Sequence, residues 1–157
     1  MRTLRRLLIL PLAALLAVGC SDDSGTNVDD TEDGVTVADL VGSWKASSHT
    51  FTNNADPSQT FDLVANGGET RVTVLNGGGA RTWVEIGDFS DEWDAQLTIS
   101  GTNLISTPVE ASRGVQTHAF TLVGNTLTLT DSNSEFDFTL LGEDPVPATQ
   151  VVVLVRQ

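Results

Sequence analysis

From about residue 44 onward the chain alternates apolar and polar side chains with period two. Phe61, Leu63 and Ala65 share one phase, as do Val72 and Val74, Val84 and Ile86, and Trp93, Ala95, Leu97 and Ile99. Phe120 and Leu122, then Leu127 and Leu129, then Phe136, Phe138 and Leu140 continue the rows, with Thr, Asp and Gln between them. Period two sends successive side chains to opposite faces of a strand, so these rows predict strands with one buried face. Gly- and Asn-rich breaks such as Asn66-Gly67-Gly68, Asn76-Gly77-Gly78-Gly79 and Gly124-Asn125 supply the positive φ that tight turns require. Strands are expected near 44–52, 59–66, 69–75, 80–87, 93–100, 103–110, 115–123, 126–131, 135–141 and 149–156. In the first of them Ala46, Ser48 and Thr50 share the phase of Trp44 and are expected inward, while His49 and Phe51 fall in the opposite phase, which places His49 outward. One stretch before the strands differs: Thr36 followed by Asp39 reads as a short capping box, and Val37–Val41 predicts one or two helical turns ended by Gly42.

Short turns between successive strands make neighbours antiparallel. A meander of this length removes its exposed edges by closing on itself. The expected fold is therefore all-β, an up-and-down antiparallel barrel of eight to ten strands with a short N-terminal helix, occupying residues 36–157.

Charge and the N-terminus change the picture. The chain has 8 basic and 21 acidic residues in 157. Three of the bases (Arg2, Arg5 and Arg6) lie in the first twenty residues, which hold no acid, so the remainder carries 5 − 21 = −16. A nucleic-acid groove, which needs clustered Lys and Arg, does not fit that balance. Residues 1–19 read as a secretory signal: a basic start, an apolar run from Leu7 to Val18 too short to span a bilayer, and small Gly19. Ala17-Val18-Gly19-Cys20 resembles the bacterial lipobox, with Ala17 where Leu is commonest. That resemblance implies that Cys20, the single cysteine, takes a diacylglycerol and anchors the protein in the cell envelope, with Ser21 favouring the outer membrane. The alternative is an ordinary signal peptide with a coincidental cysteine. Residues 20–35 hold six acids among Ser, Gly, Thr and Asn, a composition suited to a solvated tether.

A short helix leading into Gly42-Ser43-Trp44 resembles the Gly-x-Trp opening of lipocalins, and Arg156 stands late in the last strand where that family places a basic residue over the Trp. The stretch from Val37 to Arg156 resembles the lipocalin-like domains of small bacterial lipoproteins, and Phe120–Thr130 resembles their strand–turn–strand pair. The departures are Lys45 after the Trp and the absence of any tyrosine, which removes the family's second motif. The resemblance implies a barrel closed at one end by Trp44 and Arg156 and names no ligand.

Few side chains offer chemistry. His118 is in phase with Phe120 and Leu122, so it is expected to point inward, as a satisfied polar residue or a pocket group. The two histidines sit on different strands and no carboxylate spacing joins them, so no metal site is expected. The acids Asp88, Asp91, Glu92 and Asp94 bracket a hairpin end and read as a solvated turn. Asp131–Glu135 begins like a calcium loop but has Phe136 where such a loop needs glycine, and it too reads as a turn. No serine has a nucleophile-elbow context, so no catalytic residue and no cofactor are expected. Two functions remain. Either the barrel carries a small apolar molecule, lined by Trp44, Phe61, Trp93, His118, Phe120, Phe136 and Phe138, or its interior is filled and it works as a non-catalytic interaction or structural module of the envelope. The small inward row after Trp44 favours the first. A continuous apolar pocket above about 300 Å³ separates the two. The high negative charge argues for solubility and against self-association at low salt, and sets no oligomeric state.

Overall fold

Hairpin turns placed by glycine and asparagine fold the alternating rows into one wall. The structure, a computed structural model, describes residues 34–139 and 144–157. The signal segment 1–19, the lipidation call at Cys20, the tether up to residue 33 and Leu140 of the last apolar row lie outside the described residues. Within them run β1 (Gly42–Asn53), β2 (Thr60–Asp62), β3 (Glu69–Val74), β4 (Gly79–Ile86), β5 (Phe89–Ser100), β6 (Asn103–Pro108), β7 (Gln116–Val123), β8 (Thr126–Phe136) and β9 (Val146–Arg156). All pairings are antiparallel, in the order β2-β1-β3-β4-β5-β6-β7-β8-β9, and β1 also pairs with β9. β1 and β3–β9 therefore close an eight-strand barrel. The short β2 lies against the far end of β1, with Thr50–Thr52 facing Thr60–Asp62.

There is almost no helix among the described residues. Where the capping pattern predicted one or two helical turns, Val37–Leu40 makes a single 3-10 turn. Asp39 anchors it, accepting the Thr36 amide at 2.8 Å and the Thr36 hydroxyl at 2.7 Å. Five residues between Thr36 and Gly42 are too few to repay the nucleation of an α-helix.

Two bulges, both opposite β9, change the reading of two strands: one overturns the phase expected for β1, the other replaces the break expected within β8. In β1, Ala46 faces Leu154 but Ser48 faces Val153, so Ser47 is an extra residue. Beyond it the inward set changes from even to odd positions: Trp44 and Ala46 are buried, then His49 and Phe51. The expected inward row of Ala46, Ser48 and Thr50 stops at Ala46, and His49 points in rather than out. In β8, Asp131 faces Gln150 while Ser134 faces Ala148. The Asp131–Asn133 break is thus a bulge inside one strand, and the strands expected at 126–131 and 135–141 are one element. A bulge re-aims every side chain beyond it, which no strictly alternating reading anticipates.

The end where β1 begins is closed. Trp44, Leu40 and Leu154 are its fully buried large side chains, joined by Val74, Ala80, Leu97, Leu104 and Leu127. The Trp44 indole N–H donates to the Leu40 carbonyl at 2.8 Å. The Arg156 guanidinium lies 4.2 Å from the Trp44 ring centroid and donates to the carbonyls of Val41 and Asp39, the latter at 2.6 Å. Cation–π attraction and charge-assisted hydrogen bonds thus tie the last strand to the turn that caps the barrel. Gly42 makes the crossing possible. Its φ is +139°, and a Cβ there would stand 3.0 Å from Arg156 Nη1.

The other end opens. β1 leaves β3 after Lys45 and takes up β2 only at Thr50, so the wall has a seam on that side. Asp62 organises it. Its carboxylate accepts the Ser48 hydroxyl at 2.9 Å and the amides of His49, Val64 and Ala65 at 3.3, 2.9 and 3.2 Å, while the Leu63 amide donates to the His49 carbonyl at 2.8 Å. Burial opposes the charge on Asp62, but these donors outweigh it and hold the carboxyl below its usual pKa.

Candidate functional site

Above the packed floor the barrel is hollow. An inner cavity of about 130 Å³ begins at Leu40, Val74 and Leu154 and rises between Val72, Leu129 and Val152. Its upper rim is polar, with His49, Thr70, Ser106, Gln116, His118 and Gln150 contributed by five strands, β1, β3, β6, β7 and β9. Above this collar lies an open basin of about 800 Å³ walled by Phe51, Leu63, Ile86, Phe89, Trp93 and Phe136, with Asp88, Asp91 and Asp137 at its edge. His49, Val84, Trp93 and Gln150 line both spaces, so the collar joins the basin to the cavity. A third recess of about 640 Å³ adjoins at Phe51 and Gln150. It forms a polar shelf along Arg113, Gln116, Asp131 and Glu135.

The collar is built by hydrogen bonds across strands. His49 Nδ1 lies 2.8 Å from the Thr70 hydroxyl, and its Nε2 lies 2.6 Å from the Gln150 side-chain amide nitrogen. With the amide donating, the neutral ring accepts at Nε2 and donates to Thr70 from Nδ1. Burial pushes the His49 pKa down to about 4, with Asp62 pulling weakly the other way. His118 is lowered by the same cause and pulled up by Asp131. Both imidazoles are therefore neutral at neutral pH. They differ in partners: His118 lines the cavity and makes no hydrogen bond to any described residue, so it keeps a donor and an acceptor for an occupant.

The Thr70–His49 contact has the spacing of a nucleophile and its base. Gln150, however, occupies the place of the carboxylate that would raise the ring's basicity, and an imidazole of pKa about 4 takes protons poorly at neutral pH. Among the described residues no three His, Cys, Asp or Glu side chains converge as a metal site.

Arg113 holds one side of the mouth. Carried on the second 3-10 turn (Ala111–Arg113), it donates to both carboxylate oxygens of Asp91 at 2.8 and 2.6 Å and to Glu110 at 3.2 Å, and lies 4.9 Å from the Trp93 ring centroid. The Asp91 carboxyl is lowered chiefly by this guanidinium. The acids expected as one solvated turn are thus divided. Only Asp88 lies in the turn between β4 and β5; Asp91 and Asp94 stand on β5, and Asp94 takes both ends of Arg81 at 2.8 and 3.1 Å.

Of the candidates read from sequence, Trp93 and Phe136 line the basin, and Trp93 and His118 line the inner cavity. Phe51 and Phe61 stack on Phe136, with ring centroids 4.1 and 5.2 Å from it, and Phe138 meets it edge-on at 5.1 Å. Phe120 packs against the lower core, and Trp44 lies under the cavity, where Leu40 rather than the indole meets the space. Sequence reasoning missed Phe51, Arg113 and most of the collar. A signal for the collar was present: Thr70 and Gln150 each precede an otherwise apolar row, Ser106 follows Leu104, and Gln116 and His118 together precede Phe120 and Leu122. Comparison of the chain with protein-family models, curated proteins and solved structures returned no match.

Proposed function

We propose that this chain is a cell-envelope lipoprotein, anchored through Cys20, whose lipocalin-like barrel binds and carries a small apolar molecule without chemically changing it. One observation carries this reading: the aromatic basin of about 800 Å³, continuous through the collar with the inner cavity. It exceeds the roughly 300 Å³ at which small-molecule pockets begin, is apolar on its walls, and narrows to a few convergent polar groups. The argument from a small inward row after Trp44 does not survive the β1 bulge, and the basin replaces it. Val84, Trp93 and Phe136 are the residues expected to touch the ligand, and His118 the one to orient it. A second reading, an interaction module with a filled barrel, draws on the inner cavity of only about 130 Å³.

Native mass spectrometry of the protein extracted gently from the envelope tests both halves of the proposal. The account expects a polypeptide beginning at Cys20 with a covalent lipid increment, and a further mass that leaves on denaturation. A bare polypeptide that takes up nothing from an envelope lipid extract would favour the filled-barrel reading.

A further inference from the structure

Building on that binding reading, we infer that the molecule selected by this mouth carries a protonated amine at one end of an apolar body. The cavity makes the site, and the charges on its rim decide what enters. Asp88 and Asp137 border the aromatic basin, and Asp131 and Glu135 border the adjoining shelf. The cation on this rim is Arg113, and it is already committed to Asp91, Glu110 and the face of Trp93. Asp88, Asp131 and Glu135 form no ion pair with any described residue. The two histidines below add no positive charge at neutral pH.

Among the described residues, a negative headgroup at the mouth would therefore meet like charge and no uncommitted cation. An ammonium would meet carboxylates and, in the same basin, the ring faces of Phe51, Phe89, Phe136 and Trp93, whose quadrupoles attract cations. The apolar body would pass the collar toward Val72, Leu129 and Val152, where no charged side chain lines the cavity. Rim charges several ångströms from an ammonium, in water-like surroundings, each contribute a few-fold in affinity, and salt screens them.

The test uses three probes with one chain length: decylamine, decanol and decanoate. Each displaces the neutral dye N-phenyl-1-naphthylamine from the intact chain at neutral pH, in low and in high salt. The expected result is decylamine binding about tenfold more tightly than decanoate in low salt, with the gap narrowing in high salt. In a variant combining Asp88→Asn, Asp131→Asn and Glu135→Gln, decylamine should fall to the affinity of decanol while decanol is unchanged. Decanoate binding as tightly as decylamine would overturn the amine assignment and leave the carrier reading standing, as would equal losses of decanol and decylamine in the variant. Failure of the dye and all three probes to bind would overturn both.

Discussion

The two ends of this barrel use the same apolar residue types to opposite effect. At the closed end Trp44, Leu40 and Leu154 are at most 1% exposed, and the Arg156 guanidinium is spent on the indole face and two carbonyls. At the open end Phe89 is 59% exposed, Phe51, Phe61 and Phe138 gather around Phe136 beside open space, and polar side chains interrupt the apolar rows. Close packing gives the floor a single arrangement. The mouth leaves aromatic surface without a protein partner, which is what a binding site requires. Stability and recognition are thus separated along the barrel axis.

The largest expected effect comes from the floor. Trp44→Ala removes a fully buried indole and the platform for Arg156, and should cost about 3–5 kcal/mol in denaturant unfolding. Phe136→Ala, at the half-open mouth, should cost well under half as much while weakening dye binding. Similar losses for the two variants would erase the proposed division between the ends.

A smaller effect lies at the collar. The folded His49 pKa of about 4 is below the ordinary 6.5, so on acidification the unfolded state takes the proton first. The contribution of His49 is therefore complete above about pH 6.5, falls as pH drops toward about 4, and is exhausted below that. The shift corresponds to about 3 kcal/mol. It is best read as the pH dependence of the stability difference between the native chain and His49→Gln, in which His118 and the carboxylates largely cancel. A difference that stays flat from pH 7 to pH 4 would mean that His49 is not held neutral by burial.

The smallest effect expected concerns the rim. Arg113→Gln leaves Asp91 without its bidentate partner at a part-exposed site, so stability should fall by about 1 kcal/mol or less. The Asp91 carboxyl, now held low chiefly by Arg113, should titrate nearer the usual carboxylate range, which NMR titration would follow. An unchanged Asp91 titration would mean that the guanidinium does not set its charge.

Much of the wall was legible because period-two rows and glycine breaks are local properties. Rows such as Trp93-Ala95-Leu97-Ile99 and turns such as Gly124-Asn125 fell where expected, and closure followed from the removal of edges. What escaped the reading depends on residues distant in sequence. Ser47 and the Asp131–Ser134 segment bulge in their pairing with β9, and alternation within one strand carries no trace of its partner. That is why His49 was placed outside and Phe51 was overlooked. Arg113 was hidden for a similar reason: its importance comes from Asp91 and Trp93, about twenty residues away in sequence, and by itself it reads as one more turn residue. Trp93, Phe136 and His118 were found because they lie in rows that no bulge interrupts between them and the floor or, for Phe136, because the bulge restores the phase it already had.

The central claim is that the mouth and cavity form one ligand site standing on an independently stable floor. Val84 lines both spaces, so Val84→Trp should plug the passage without touching Trp44 or Arg156. The most direct measurement is N-phenyl-1-naphthylamine fluorescence against the native chain and Val84→Trp, with thermal unfolding recorded on both. The account predicts saturable binding to the native chain and at least a tenfold loss in the variant, with melting changed by only a few degrees. Undiminished binding in a folded Val84→Trp would contradict it, because the dye would then be bound somewhere other than the barrel.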